Sequence, residues 1–368
     1  MLQTNDLLLT FLRAALLNQN PDIPVSVSID WEELRVQASE QGLLAIVWDG
    51  ICKLPQDRQP SRFQKISYEL SAQEVHKRYC QQKSVLLEMI SRCQQNGMKL
   101  LLLKGIGLSE LYPNPETRPS GDIDVFFPGE YKQGNELFAK DNYHFGGKHS
   151  EFVYHGVTVE NHVTMVNTIT RRQRKVEQYL EESVTRATCT PDGYYMLPPM
   201  EGLVYLLVHT LGHLKSTYLV SYRNIVDFFM YINRYKDEIS PNHCNEVMKR
   251  FHLNKSFELL LYLSEWVMNV SLSEYHLNNI PSQDVEKVKQ MICCKDSRPE
   301  ISPSLPYFKQ FVMRQRYNAH TRWMNKYLPK TWFDRFKASF YVECSSLCKS
   351  IFRVLDDKVI GIQKGAKH

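Results

Sequence analysis

The chain has 368 residues, 43% hydrophobic and 23% charged, with a net charge of +5, and this balance excludes an intrinsically disordered protein. Its nine cysteines form no Cys-x-x-Cys pair, so neither a zinc ribbon nor a disulfide framework is indicated. The best apolar stretch, residues 202–214, is too short to cross a bilayer, and Asp6 stands where a signal peptide needs positive charge. We therefore expect a cytoplasmic protein with free thiols and no transmembrane segment.

Residues 1–97 have the pattern of a helical region. Asp30 and Glu33 form a plausible capping box at the start of one helix. Helices are predicted over residues 7–17, from residue 31 to the early fifties, and over residues 63–96, where Gly97 ends the last one.

Residues 98–188 alternate between strand and helix patterns and are predicted to form an α/β core. The expected order is a strand at 99–103, a helix at 106–111, a strand at 123–127, a helix at about 130–141, short strands to about 166, and a helix around 170–182.

Two carboxylates begin the second strand of this core, in the sequence Gly121-Asp-Ile-Asp-Val. Side chains alternate along a strand, so Asp122 and Asp124 project from one face while Ile123 and Val125 pack on the other. Two carboxylates held this close repel each other. A pair of divalent cations removes that penalty, and such pairs drive in-line phosphoryl transfer.

The turn before this strand has features that suit a phosphate group. Gly105 and Gly107 allow a ligand to approach the backbone, and the start of the following helix offers free N–H groups. Lys104 supplies a point charge. Arg118, in the proline-rich loop that follows, is either a second phosphate contact or a solvated side chain.

A hairpin is predicted over residues 151–163, with its turn at His155-Gly156. Glu160 and His162 then share a face. Glu160 is a candidate third carboxylate, which binds a metal and helps to deprotonate an attacking hydroxyl. His162 is placed to orient Glu160 or to contact a phosphate.

These motifs together resemble the uncharacterised nucleotidyltransferase branch of the polymerase-β-like nucleotidyltransferase superfamily. The matching segments are Leu-Lys-Gly ending at Gly105, Leu-Tyr-Pro ending at Pro113, Arg118, Gly-Asp-Ile-Asp ending at Asp124, and Val-Glu-Asn-His ending at His162.

The resemblance implies an α+β fold: a small mixed-sheet nucleotidyltransferase core with helical N- and C-terminal regions. It implies Mg²⁺- or Mn²⁺-dependent transfer of a nucleoside monophosphate from a nucleoside triphosphate to a hydroxyl. Asp122 and Asp124 match the paired metal ligands of the superfamily, and Glu160 matches the third.

The chain departs from the superfamily at Lys104-Gly105, where most members have Gly-Ser. The serine hydroxyl that would contact the triphosphate is missing, so Lys104 or Ser120 would have to compensate. This departure favours a second hypothesis, a protein that binds nucleotide or metal without turnover.

Residues 189–368 are predicted to form a C-terminal helical region beyond a boundary at residues 190–199. Helices are expected at 201–214, 223–235, 242–251, 255–267 and 283–292, with a linker at 297–306 and further helices to about residue 355.

The helical regions are expected to shape the cleft that holds the base and the acceptor, and two residue pairs of the C-terminal region are candidates to line it. His209 and His213 lie four apart on one helical face, which is metal-ligand spacing, but Thr210 stands where a zinc metalloprotease needs glutamate. Core histidines are the favoured reading, and a contact with nucleotide or acceptor is the alternative. Arg223 and Asp227 are also four apart. Either they form an intrahelical ion pair, or Asp227 projects into the cleft.

Residues 309–368 carry 13 Lys and Arg against 4 Asp and Glu, with several aromatic residues. Such a region binds a polyanion or an anionic membrane surface, or it forms a helical cap with its charges in water. The cap is favoured. A less favoured alternative is an enzyme that modifies tRNA or a protein hydroxyl, with this basic region as the docking surface, and a nucleic-acid partner belongs to the tRNA case alone. The family's association with surface-polysaccharide gene clusters makes a sugar or lipid-linked hydroxyl one option for the acceptor.

Overall fold

The computed structural model describes residues 3–293, except 141, 217–220 and 277–279, together with Lys309 and Tyr327. Within these residues the chain forms twelve α-helices and one mixed sheet of seven short strands. The predicted linker at 297–306, the later helices and nearly all of the basic region lie outside the described residues.

Four helices precede the sheet: α1 (Thr4–Leu16), α2 (Trp31–Glu40), α3 (Leu44–Ile51) and α4 (Arg62–Gln95). The side chain of Asp30 accepts hydrogen bonds from the N–H groups of Glu32 and Glu33, so it caps α2 as expected. The prediction of one helix from residue 31 to the early fifties is wrong. Gly42 has a φ of +66°, and this left-handed residue ends α2 and redirects the chain into α3.

The strands are β1 (Leu101–Leu102), β2 (Ile123–Phe126), β3 (His144–Phe145), β4 (His149–Tyr154), β5 (Val157–His162), β6 (Thr188–Cys189) and β7 (Tyr195–Met196). Their order across the sheet is β3-β4-β5-β2-β1-β7-β6. The β4–β5 hairpin turns at His155-Gly156, as predicted, and both residues have positive φ. Strand β2 pairs in parallel with β5, which sets Asp124 opposite Glu160.

Strands β6 and β7 were not predicted. They lie at the boundary that the prolines near residue 198 marked, and β7 pairs in parallel with β1, so the sheet continues past residue 188. Each has only two residues, which is too short for an alternating pattern to be recognised.

Both faces of the sheet are covered. The C-terminal half of α4 packs with Leu102, Ile123 and Val125 on one face. Leu101 and Phe126 face the opposite way, into a larger apolar core that includes the later helices. This two-sided burial explains the uninterrupted apolar run before Lys104.

The remaining helices are α5 (Ile106–Ser109), α6 (Tyr131–Phe138), α7 (Arg171–Ser183), α8 (Pro199–Ser216), α9 (Tyr222–Tyr235), α10 (Pro241–Arg250), α11 (Asn254–Met268) and α12 (Ser282–Cys293). The five helices predicted between residues 201 and 292 are confirmed to within a few residues. Helices α5 and α6 are shorter than predicted. Among the described residues, none of the helices combines the length and apolar character needed to span a membrane.

Candidate functional site

Three carboxylates meet at the centre of the sheet. Parallel pairing of β2 with β5 sets Asp124 beside Glu160, and Asp122 lies two residues before Asp124, immediately before β2 begins. One carboxylate oxygen from each of Asp122, Asp124 and Glu160 lies within 4.8 Å of the others. The chain therefore brings together the three acids that the sequence singled out, and their role as metal ligands stays a prediction.

Lys104 and His162 lie against these acids, and we call the five residues the acidic cluster. Lys104 Nζ lies 3.0 Å from Asp124 Oδ1 and 3.8 Å from Asp122 Oδ2. His162 Nε2 lies 3.0 Å from the same Asp124 oxygen and 3.2 Å from Glu160 Oε2. His162 thus contacts Glu160, as the predicted orienting role requires, and that role stays a prediction.

The two aspartates have opposite electrostatic environments. Burial and the neighbouring Asp124 carboxylate raise the pKa of Asp122 to about 6. Burial also acts to raise the pKa of Asp124, but Lys104 and the hydrogen bond from His162 outweigh it and hold that pKa well below its ordinary value. Asp124 is therefore a buried carboxylate, while Asp122 carries the cost of like charge.

One carboxylate oxygen of the cluster lacks a hydrogen-bond partner among the described residues. Asp124 Oδ2 is fully buried and has no hydrogen-bond donor among the described residues. A buried carboxylate oxygen without a partner is costly, and a cation removes that cost. Three carboxylates form the donor set that Mg²⁺ and Mn²⁺ prefer, so these residues fit such an ion.

The turn at Lys104-Gly105 is fixed by its surroundings. Gly105 has a φ of +66°, and a Cβ there would lie 2.8 Å from the backbone oxygen of Asp122, so a side chain is excluded. Ser120 Oγ donates to the same oxygen at 3.1 Å. The predicted phosphate contact from Ser120 therefore competes with this bond. Helix α5, which follows the turn, has only four residues and is a weaker anion site than predicted.

Arg118 is neither solvated nor open to a phosphate, which corrects the expectation from sequence. Its Nε and Nη2 atoms donate to Asp227 at 2.6 and 2.8 Å, and its Nη1 donates to the Gly105 carbonyl at 2.8 Å. Tyr112 donates to the same Asp227 carboxylate at 2.6 Å. We call Arg118, Asp227 and Tyr112 the arginine cluster. It joins the Gly105 turn to helix α9.

This cluster also replaces both predictions for Arg223 and Asp227. The Asp227 carboxylate pairs with Arg118 from another part of the chain, and it is buried in protein instead of lining an open cleft. Arg223 Nη1 lies 3.4 Å from the Pro119 carbonyl and packs beside Gly42. The four-residue spacing gave no information about partners that lie far away in sequence.

The predicted histidine pair is described only in part. His209 is half-buried on α8, its ring stacks with Tyr205, and a proton on this ring would help to lower the pKa of Asp124. It therefore lies on the side of α8 that faces the acidic cluster. The side chain of His213 is outside the described part of the chain.

Three residues near the acidic cluster were missed by the sequence analysis: Lys148, His149 and Tyr205. His149 Nδ1 lies 3.4 Å from Glu160 Oε2, and Lys148 is electrostatically coupled to Lys104 and to the three acids. The buried Tyr205 hydroxyl has no hydrogen-bond partner among the described residues. The predicted hairpin turn could have found His149, because a two-residue turn at 155–156 pairs residue 149 with residue 162.

Two other ligand groups occur in the described part of the chain. His149, Glu160 and His162 form one, which shares Glu160 with the carboxylates. His76, Cys80 and Glu116 form the other, on the exposed side of α4. His76 and Glu116 make an ion pair of 2.5 Å there, which accounts for their proximity without a metal.

Comparison with known proteins supports one assignment. A family model described as an uncharacterised nucleotidyltransferase matches residues 27–269, which contain the acidic cluster and the arginine cluster. Comparisons with curated proteins and with solved structures gave no match. The match covers well over half of the chain, and we conclude that this protein belongs to the uncharacterised nucleotidyltransferase family.

Proposed function

We propose that this protein is a nucleotidyltransferase that uses Mg²⁺ or Mn²⁺ to move a nucleoside monophosphate from a nucleoside triphosphate to a hydroxyl acceptor. Family membership supports nucleotidyl transfer in general. The observation that carries the finer proposal is the convergence of Asp122, Asp124 and Glu160 around a buried, unpartnered carboxylate oxygen. We also propose that this centre belongs to a polymerase-β-like core at residues 98–188, between helical regions at 1–97 and 189–368, with β6 and β7 extending the core sheet into the start of the last region.

Each acid has its own role in this proposal. Asp122, Asp124 and Glu160 would hold the divalent ion, which would neutralise phosphate charge and favour ionisation of the attacking hydroxyl. Lys104 and His162 keep Asp124 ionised in spite of its burial. Glu160 is held by His162 and lies near His149, and its partly exposed carboxylate is placed to accept the proton of the acceptor hydroxyl.

Positive charge for the triphosphate comes from a different residue than expected. Arg118 is committed to Asp227, and the Lys104 ammonium lies against the aspartates. Lys148 lies beside the acidic cluster and is partly exposed, so it is the better candidate for contact with the triphosphate.

A direct test is the release of pyrophosphate from each of the four ribonucleoside triphosphates with Mg²⁺ or Mn²⁺ and a set of sugar and lipid-linked hydroxyl acceptors. We expect Asp122→Asn and Asp124→Asn to abolish release. The matched control is Asp57→Asn, because Asp57 is exposed on a turn outside the sheet. Turnover that survives both active-site substitutions would end the proposal.

A second candidate function, binding without turnover, is favoured by Lys104-Gly105 in place of the superfamily's Gly-Ser and by the contact of Lys104 with the carboxylates. Calorimetry with a non-hydrolysable triphosphate and Mg²⁺ separates the two functions. Binding together with pyrophosphate release supports transfer, and binding with no release under any acceptor condition supports the second candidate.

A further inference from the structure

The two oxygens of Asp124 have different partners. Oδ1 lies 3.0 Å from both Lys104 Nζ and His162 Nε2, so two nitrogens already share it. Oδ2 is buried and has no partner among the described residues. Asp124 therefore offers one open ligand atom to a cation.

A centre with two divalent ions needs carboxylates that bridge both ions. Here the place beside Asp124 Oδ1 is filled by the Lys104 ammonium, which also lies 3.8 Å from Asp122 Oδ2. The Lys104 side chain is only 16% exposed, so the ammonium is held within the protein between the two carboxylates. A buried ammonium is stable only where negative charge compensates its lost hydration.

The charges of the centre support the same conclusion. Three carboxylates carry three negative charges, and the Lys104 ammonium compensates one of them. His162, which lies against Asp124 and Glu160, adds positive charge when its ring is protonated, so one divalent ion is enough to balance the remaining negative charge. A second divalent ion would leave an excess of positive charge around a buried lysine.

We propose that this centre binds one divalent cation for each chain, on the Oδ2 side of Asp124, and that the Lys104 ammonium occupies the place of a second ion. This inference rests on the proposed function and specifies its metal requirement. It also gives a physical reason for Lys104-Gly105 where most of the superfamily has Gly-Ser, since the Lys104 ammonium then has a role beside the aspartates.

The test counts Mn²⁺ bound to the full chain, without nucleotide, by electron paramagnetic resonance of free Mn²⁺. Because other ligand groups can bind Mn²⁺, the count for this centre is the number of ions lost on Asp124→Asn. We expect one ion in the wild type and two in Lys104→Met. Lys148→Met is the matched control, because it removes a charge beside the same acids without emptying the space between Asp122 and Asp124, and we expect one ion there.

Two ions lost from the wild type would overturn the inference, and so would one ion lost in a folded Lys104→Met background. Circular dichroism checks that Lys104→Met is folded. If Lys104→Met is not folded, Lys104→Gln is used in its place. Two ions together with pyrophosphate release would overturn this inference alone. No ion in the wild type would overturn both the inference and the proposed metal-dependent function.

Discussion

The acidic cluster and the arginine cluster both involve the Lys104-Gly105 turn, the first through the Lys104 ammonium and the second through the Gly105 carbonyl, and each contains buried charge. In the arginine cluster, Asp227 accepts two bonds from Arg118 and one from Tyr112. In the acidic cluster, Asp122 has a raised pKa and Asp124 Oδ2 has no partner among the described residues. One cluster is satisfied by the protein itself, whereas the other keeps a buried oxygen that is open to the cation we propose.

This difference separates a charge cluster with a structural role from one for which we propose a functional role. A satisfied buried ion pair fixes the chain, whereas a cluster with excess charge and an unpartnered atom is maintained at a cost in stability. The arginine cluster fixes the Gly105 carbonyl, and the adjacent Lys104 carries the ammonium into the acidic cluster. The satisfied cluster therefore positions the unsatisfied one.

The largest expected effect is on catalysis through Asp124. We expect Asp124→Asn to lower nucleotidyl transfer by at least about 10³-fold, since a metal ligand contributes several kcal/mol to transition-state stabilisation. Steady-state rates of pyrophosphate release measure this loss, with Asp57→Asn as the control. A loss below tenfold would mean that the acidic cluster is not the reacting centre.

Substitutions in the arginine cluster should lower the stability of the folded protein. Asp227→Ala leaves the Arg118 guanidinium buried without its partner, and we expect a loss of about 3–5 kcal/mol in the free energy of unfolding. Urea unfolding measures it. The double variant Arg118→Met with Asp227→Leu removes both charges and should recover most of the loss. A double variant as unstable as the single one would show that the pair itself contributes the stability.

A smaller effect is expected for His162, which holds both Asp124 and Glu160. We expect His162→Gln to lower the rate by about 10- to 100-fold, as substitution of groups that orient metal ligands commonly does. If His162 positions the metal ligands, His162→Gln also weakens Mn²⁺ binding, and calorimetry without nucleotide measures this change. An unchanged Mn²⁺ affinity would indicate that His162 acts on the substrate instead.

The smallest expected effect is a gain in stability, in contrast to the losses described above. Asp122→Asn removes like charge from beside Asp124, so at pH 7 and with EDTA we expect a gain of about 1 kcal/mol, after allowing for the part of the side chain that water screens. The melting temperature should rise by about 2 °C while activity is lost. A fall in melting temperature would show that Asp122 is satisfied like Asp227.

Much of the fold and of the acidic cluster could be predicted from local sequence patterns. The alternation at Asp122 and Asp124, the hairpin turn at His155-Gly156 and the helical periodicity after residue 200 all act between near neighbours. The convergence of Glu160 on the aspartates followed from the resemblance to a family. The parallel pairing of β2 with β5 supplies the physical reason.

The partners of Arg118 could not be predicted in this way. Asp227 lies 109 residues away in sequence, and no periodic pattern connects a proline-rich loop to the face of a later helix. The same limit applies to the fate of Lys104. Its sequence context suggests a phosphate contact, but the antiparallel pairing of β1 with β2 brings it to the carboxylates first.

The most direct test of the central claim is a crystal structure of the protein soaked with a non-hydrolysable nucleoside triphosphate and Mn²⁺, with anomalous diffraction to locate the metal. We predict a manganese peak within about 2.5 Å of carboxylate oxygens of both Asp122 and Asp124, with the α-phosphate beside it. Manganese found only at His149 and His162, or only at His76 and Cys80, would contradict the account.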